Sequence, residues 1–171
     1  HILLIQEHNL TPKHRPLVEA MAKRHNYAPF VAYKTVNTSV VGGAAIFVAT
    51  DCRSISMPDP APTYAMQGGV ATMHVCLHGH STKLGSFYAP VHPRLRKRYF
   101  ELIDSRGLLS VDMIAGGDWN TVPDITLDTQ VENPSHRYAN SHGPLLESVV
   151  LSKGLVDVFR LANGKQCRSY T

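Results

Sequence analysis

Asp118 and Asn120 stand two residues apart, with Trp119 between them, just past Gly116-Gly117 and the apolar run Met113–Ala115. A carboxylate and a carboxamide held side by side have complementary uses. The acid handles a water or a cation, and the amide donates to an anion. The apolar run reads as a buried central strand. If it continues through the glycines, its period of two puts Asp118 and Asn120 on one face and Trp119 on the other. Open α/β sheets build their sites at such carboxyl ends. Two more strand ends collect polar groups, Gln6-Glu7 (followed by His8-Asn9) and Tyr88-Ala89-Pro90. If the three ends converge, one Glu, one Asp, one Asn and one Tyr make an oxygen-rich site. Hard oxygen donors favour Mg²⁺, with Mn²⁺ as the alternative, over zinc. Such a metal polarises a phosphoryl group and stabilises a leaving oxygen.

The elements that must position these groups follow from periodicity and breakers. Ile2–Ile5 reads as a short buried strand. Thr11-Pro12 offers a helix start, and Leu17, Val18, Met21 and Ala22 continue at helical spacing towards Asn26. Phe30–Val36 and Ala44–Ala49 read as strands around a turn that includes Gly42-Gly43, and the proline-rich stretch 57–63 as loop. From Gly69 to Leu77 the residues alternate, with Ala71, Met73, Val75 and Leu77 inward and Thr72, His74, Cys76 and His78 outward. Lys83–Tyr88 completes a hairpin. Pro93 opens a helix that stops at Gly107, with Leu95, Tyr99, Leu102 and Ile103 on its buried side. The strand Val111–Ala115 follows, and then a long polar connection from Thr121 to Asn140. Pro144 starts a last helix, with Leu145, Leu146, Val149 and Val150 inward and Gly154 ending it. Leu155–Leu161 reads as a strand, and Tyr170-Thr171 as the start of another. Interleaved strands, hairpins and helices give an α/β or mixed α+β class.

The chain has 171 residues, 43% hydrophobic and 18% charged, the composition of one globular domain with a real core. No apolar run approaches the ~20 residues of a membrane span, and no signal peptide is expected from these residues. The chain opens at His1 with residues already strand-like, so it reads as part of something longer. A net charge of +4 permits a polyanionic partner. Three widely spaced cysteines, Cys52, Cys76 and Cys167, argue against a disulfide framework and for a reducing, nuclear or cytoplasmic location.

Each candidate has a plainer reading. Glu7 alone is an ordinary strand-end acid, and Asp118 after Gly-Gly an ordinary turn residue. Tyr88 fits a rim aromatic with its hydroxyl in water. His74, Cys76, His78 and His80 alternate along a hairpin without the spacing of a zinc site, so they read as its polar face. Arg94, Arg96, Lys97 and Arg98 read as the solvated side of an amphipathic helix rather than a phosphate-binding run. Nothing specific ties His136, Arg137 or His142 to DNA.

Taken together and in order, three motifs resemble those of the endonuclease/exonuclease/phosphatase superfamily. Gln6-Glu7 matches its Gln-Glu metal motif. Ser86-Phe87-Tyr88-Ala89-Pro90 looks like its Asn-x-Tyr-x-Pro motif, with Ser86 in place of the asparagine. Gly116-Gly117-Asp118-Trp119-Asn120 looks like its Gly-Asp-x-Asn motif. The resemblance is nearest to the endonuclease domain of non-LTR retrotransposons. It extends through 121–128, then Gly154-Leu155-Val156-Asp157-Val158-Phe159-Arg160 and Tyr170-Thr171.

This resemblance implies a four-layer α/β sandwich, two face-to-face sheets flanked by helices, in one domain over 1–171 that is incomplete at both ends. It implies Mg²⁺-dependent phosphodiester hydrolysis of DNA by a nicking endonuclease, within a polyprotein that carries a reverse transcriptase. It makes Glu7 the metal ligand and Asp118 the group that orients or deprotonates water. Asn120 and Tyr88 contact the scissile phosphate, and Asn9 joins them among the substrate-binding groups. The superfamily also has an asparagine before its Gln-Glu motif, and an acid followed by an Asp-His pair near its carboxyl end. Neither lies within these 171 residues, so this length of chain is expected to be weakly active or inactive while its parent cuts. The alternatives are a phosphatase of the same superfamily acting on a small phosphate ester, and a truncated, inactive remnant.

Overall fold

A computed structural model describes residues 1–34, 42–57, 62–123 and 142–164. These divide into two compact units: His1–Ala89 with Asp112–Asp118, and Pro90–Val111 with the described part of Trp119–Thr171.

The first unit holds both sheets. Strands β1 (Ile2–Gln6), β2 (Tyr27–Ala32) and β3 (Ala44–Ala49) form an antiparallel sheet in the order β1-β3-β2. The second sheet has β4 (Ile55–Ser56), β6 (Val70–Leu77), β7 (His80–Tyr88) and β8 (Met113–Asp118) in the order β4-β6-β7-β8. A short strand β5 (Thr63–Ala65) also pairs with β6. Among the described residues, the β7–β8 pair alone is parallel. The sheets face each other. Ala32, Ala44, Ile46 and Val48 from the first pack against Ala71, Met73, Val75 and Leu84 from the second, all buried. Helix α1 (Arg15–Arg24) covers the outer side of the first sheet, where Val18 meets Val31 and Ala45. This is an α/β sandwich. Small residues at Ala44 and Ala45 are buried at the centre of the first sheet, where one faces the opposite sheet and the other the helix.

A polar link joins the two sheets. The Ser86 hydroxyl donates to the Ile5 carbonyl at 3.1 Å and accepts from the Gln6 amide at 3.0 Å. Ser86 is fully buried, so its hydroxyl must find its partners within the protein. Through these two bonds Ser86 of β7 holds the carboxyl end of β1.

In the second unit, helix α2 (Pro93–Ser105) packs against helix α3 (Gly143–Ser152), and a short helix α4 spans Val158–Asn163. Lys153 pairs with Asp104 at 2.7 Å. No helix among the described residues is long and apolar enough to cross a membrane.

The structure corrects several sequence-based expectations. The segment Leu155–Leu161 is not a strand. Its second half is α4, started by Asp157, whose carboxylate accepts from the Arg160 backbone amide at 3.1 Å and pairs with the Arg160 guanidinium. A side-chain cap of this kind selects helix over strand in a short apolar run. Strand β8 begins at Met113 and runs through both glycines to Asp118. It is the outer strand among those described, not a central one. Ile114 is 53% exposed, and of the apolar run only Met113 is buried. Periodicity alone cannot tell a one-sided from a two-sided strand. Strand β1 is likewise half-covered, with Leu3 and Ile5 exposed. On α2 the buried stripe is Arg96, Tyr99, Phe100 and Ile103, while Leu95 is 49% exposed. Strand β2 starts at Tyr27, three residues before Phe30. Thr72, expected to face outward, is buried. The later part of the loop 121–140 and the segment Tyr170-Thr171 lie outside the described residues.

The cross-sheet link gives a test of the packing. Ser86→Ala leaves the Gln6 amide and the Ile5 carbonyl without this partner and should cost about 1–3 kcal/mol of stability. Urea unfolding should show a lower midpoint with an unchanged slope.

Candidate active site

At the end of β1 the chain turns sharply. Glu7 and Asn9 both adopt left-handed backbone, with φ of 55° and 52°. That region suits asparagine but is uncommon for glutamate. Local bonds hold it there. The Asn9 amide donates to the Glu7 carbonyl at 3.3 Å, and the Leu10 backbone N–H donates to His8 Nδ1 at 3.0 Å. The Asn9 side-chain oxygen accepts from the Gly42 N–H at 2.9 Å, tying the turn to the entry of β3. The outcome is an exposed Glu7 carboxylate on a tethered turn.

Two rings lie over the Gly42-Gly43 pair. A Cβ on Gly42 would sit 2.0 Å from Tyr88 Cε1, and one on Gly43 would sit 2.3 Å from His8 Cε1. Both glycines also have positive φ. Glycine is therefore required twice here, by space and by conformation. Tyr88, 3% exposed, is buried at the end of β7, not standing on the rim. Its register partner on β8 is Asp118, and the Ala89 N–H donates to the Asp118 carbonyl at 2.8 Å.

Glu7, Asn9, Tyr88 and Asp118 are thus linked by a run of contacts through Gly42 and the β7–β8 pairing, all within the first unit. Asp118 is exposed at the last position of β8. The glycines before it answer a packing need. Gly116 lies under Leu4 of the facing sheet, where a Cβ would come within 2.9 Å of Cδ1. A Cβ on Gly117 would meet the Phe87 carbonyl oxygen at 2.2 Å.

Asn120 is two residues past Asp118 along the chain and belongs to the second unit. The strand ends at Asp118, and Asn120 has φ of 49°, so simple alternation does not relate their side chains. The Asn120 carbonyl accepts from the Arg96 guanidinium. Trp119 packs on Phe100, with ring centroids 6.4 Å apart.

The resemblance of the three sequence motifs leads to the expectation of a divalent metal. Among the described residues no set of three His, Cys, Asp or Glu side chains is placed to hold one, and that includes the hairpin histidines. Mg²⁺ asks for less, one or two carboxylates, with waters and phosphate oxygens completing its shell. The carboxylates and amides at these strand ends fit that donor chemistry, and Glu7 is the exposed carboxylate on the tethered turn.

Burial lowers the pKa of His8 below 6.5, partly opposed by a backbone hydrogen bond at Ala44. His142 is lowered too, first by desolvation and then by the positive charges of Arg96 and Lys97. Sequence reasoning passed over His8 and misplaced Arg96. The only advance signal for His8 was the run of small residues from Gly42 to Ala45, which marks a close approach.

Solved structures of the same fold are the AP endonuclease LMAP from Leishmania major, the human Nocturnin catalytic domain with bound sulfate, and ANGEL2, a 2',3'-cyclic phosphatase. The first matches with a TM-score of 0.61 at 13% identity, over 97% of this chain and 61% of that one. The second gives 0.58 at 14%, over 98% and 62%. The third gives 0.54 at 14%, over 74% and 41%. All are members of the endonuclease/exonuclease/phosphatase superfamily, and the fold here is the fold of that superfamily. The chain spans 41–62% of the length of these structures. No protein-family model and no curated protein sequence matches it.

The shifted His8 gives a pH test. A histidine whose folded pKa lies below its unfolded value binds fewer protons when folded. It therefore contributes stability above pH ~6.5 that is lost as the pH falls through that value towards the folded pKa. In metal-free buffer the urea midpoint should drop between pH ~7.5 and ~5. His8→Asn keeps an acceptor near Nδ1 but does not titrate, so it should flatten that drop.

Proposed function

We propose that the protein is a metal-dependent phosphoesterase that cuts a phosphodiester of DNA, and that it serves as the nicking endonuclease of a non-LTR retrotransposon. The observation that carries the reading is the run of contacts from Glu7 through Asn9, Gly42 and Tyr88 to Asp118. It gathers an exposed acid, an amide, a phenol and a second exposed acid at one end of two facing sheets. Agreement with the fold of an AP endonuclease supports the choice of nucleic acid. A net charge of +4 suits contact with phosphates. The retrotransposon branch rests on the residues of the third motif and those that follow it.

In this reading Glu7 holds Mg²⁺, with Mn²⁺ as substitute, and the metal supplies charge neutralisation at the phosphoryl oxygens when bound. Asp118 takes up or orients the proton of the attacking water, as an exposed carboxylate at the end of a strand can. Tyr88 and Asn120 donate to non-bridging oxygens, placing neutral donors where negative charge builds. Asn9 serves the same substrate and also fixes the Glu7 turn. A partner reverse transcriptase in the same polyprotein would extend the nicked end. The reading includes a reducing, nuclear or cytoplasmic setting, which the three widely spaced cysteines support.

The second reading keeps the residues and changes the substrate to a small phosphate ester, as the likeness to ANGEL2, a 2',3'-cyclic phosphatase, suggests.

The assay compares supercoiled plasmid with a soluble phosphate ester, using a version of the chain lengthened to the span of its structural neighbours. Mg²⁺-dependent nicking is expected. Asp118→Ala should slow it by about 10²–10⁴-fold, the usual contribution of a general base. Unchanged nicking by that variant removes Asp118 from the chemistry, and preferential turnover of the soluble ester selects the phosphatase.

A further inference from the structure

Arg96 heads the buried stripe of α2, at i relative to Tyr99 (i+3), Phe100 (i+4) and Ile103 (i+7). It is 1% exposed, although its neighbours Arg94, Lys97 and Arg98 are all in solvent. Burying a guanidinium is costly unless hydrogen bonds compensate, and an apolar residue of similar size would often be at least as stable there. Its presence therefore calls for a role other than filling space.

One of its bonds points to that role. The guanidinium donates to the backbone carbonyl of Asn120. Asn120 has φ of 49°, a conformation that a non-glycine residue keeps only when its surroundings hold it. One residue earlier, Trp119 rests on Phe100 from the same stripe. One face of α2 thus grips two consecutive residues, one by its ring and the other by its carbonyl. Fixing the carbonyl and φ of Asn120 fixes the direction in which its side chain leaves the backbone.

We infer that Arg96 is a positioning residue that sets the Asn120 carboxamide for its phosphate contact through the Asn120 carbonyl, rather than a surface cation that binds DNA itself. The inference rests on the reading of Asn120 as a phosphate-binding group. Lysine cannot replace it fully, because its single ammonium lacks the planar fork of the guanidinium.

The test uses the full 171-residue chain with Arg96→Met, Arg96→Lys, Asn120→Ala and the double variant Arg96→Met/Asn120→Ala. Circular dichroism confirms which variants fold, and Arg96→Lys serves if Arg96→Met does not. Two readouts are taken. The first is the emission and acrylamide quenching of Trp119, the sole tryptophan. The second is the Kd for a labelled duplex oligonucleotide. Arg96→Met should increase quenching of Trp119 and weaken binding about tenfold, in line with the loss of a charged hydrogen bond. Arg96→Lys should fall between it and the unmodified chain. The double variant should bind no more weakly than Asn120→Ala alone, because Arg96 acts through Asn120. Multiplying effects in the double variant, or native quenching and affinity in both Arg96 variants, overturn the inference. If Asn120→Ala binds DNA normally, the phosphate role of Asn120 has failed instead, and with it the purpose assigned to Arg96. The Trp119 readout still reports whether the grip on the loop exists.

Discussion

The strand ends of the first unit approach so closely that four backbone positions leave no room for a Cβ. Gly42 lies under Tyr88, Gly43 under His8, Gly116 under Leu4, and Gly117 against the Phe87 carbonyl. The other features of the site in this unit follow from that approach. It lets Tyr88 be buried while it stays beside Gly42, and it lets Asn9 reach across to the Gly42 N–H. Through the parallel pairing it brings Asp118 level with Tyr88. A side chain at Gly42, Gly43 or Gly117 would have to displace a ring or backbone, and interiors at native packing density do not absorb such shifts cheaply.

Within this frame the polar groups fall into two sets. One set is tied by hydrogen bonds: the Gln6 amide and Ser86 hydroxyl between the sheets, Asn9 to Gly42, His8 to Leu10. The other set, the carboxylates of Glu7 and Asp118, lies exposed at the ends of strands, and the Asp118 backbone carbonyl is itself held by the Ala89 N–H. The division makes chemical sense. Rigid partners hold the backbone, while the acids stay at the surface, within reach of a cation or a water. Preorganised groups of the first kind supply orientation, and exposed groups of the second kind supply charge.

Much of this was legible in the sequence, for identifiable reasons. The β6–β7 hairpin showed itself through the alternation of Ala71, Met73 and Val75, and α2 and α3 through Pro93 and Pro144 with glycines after them. The three motif segments were found because each sits where an apolar run ends. What failed was information carried by neighbours distant in sequence. The continuous apolar run Met113–Ala115 read as a buried strand, yet Ile114 is exposed among the described residues. Val158–Leu161 looked like a strand because an apolar run alone does not register the cap at Asp157. Arg96 was assigned to solvent because residue type outweighed its place at the head of the stripe Tyr99, Phe100, Ile103. The alternation that seemed to align Asp118 with Asn120 ends where the strand does, and a bond from α2 takes over the orientation of Asn120.

In the proposed function the ends of β1, β7 and β8 form one cation-binding phosphoester site. Paramagnetic broadening of backbone amide signals by substoichiometric Mn²⁺ tests this directly, since it falls off steeply with distance from the ion. Broadening concentrated at Glu7, Asn9, Gly42, Tyr88 and Asp118, and abolished by Glu7→Gln, is the expected result. Broadening centred on the hairpin histidines His74, His78 and His80, or spread evenly over the surface, would contradict the account.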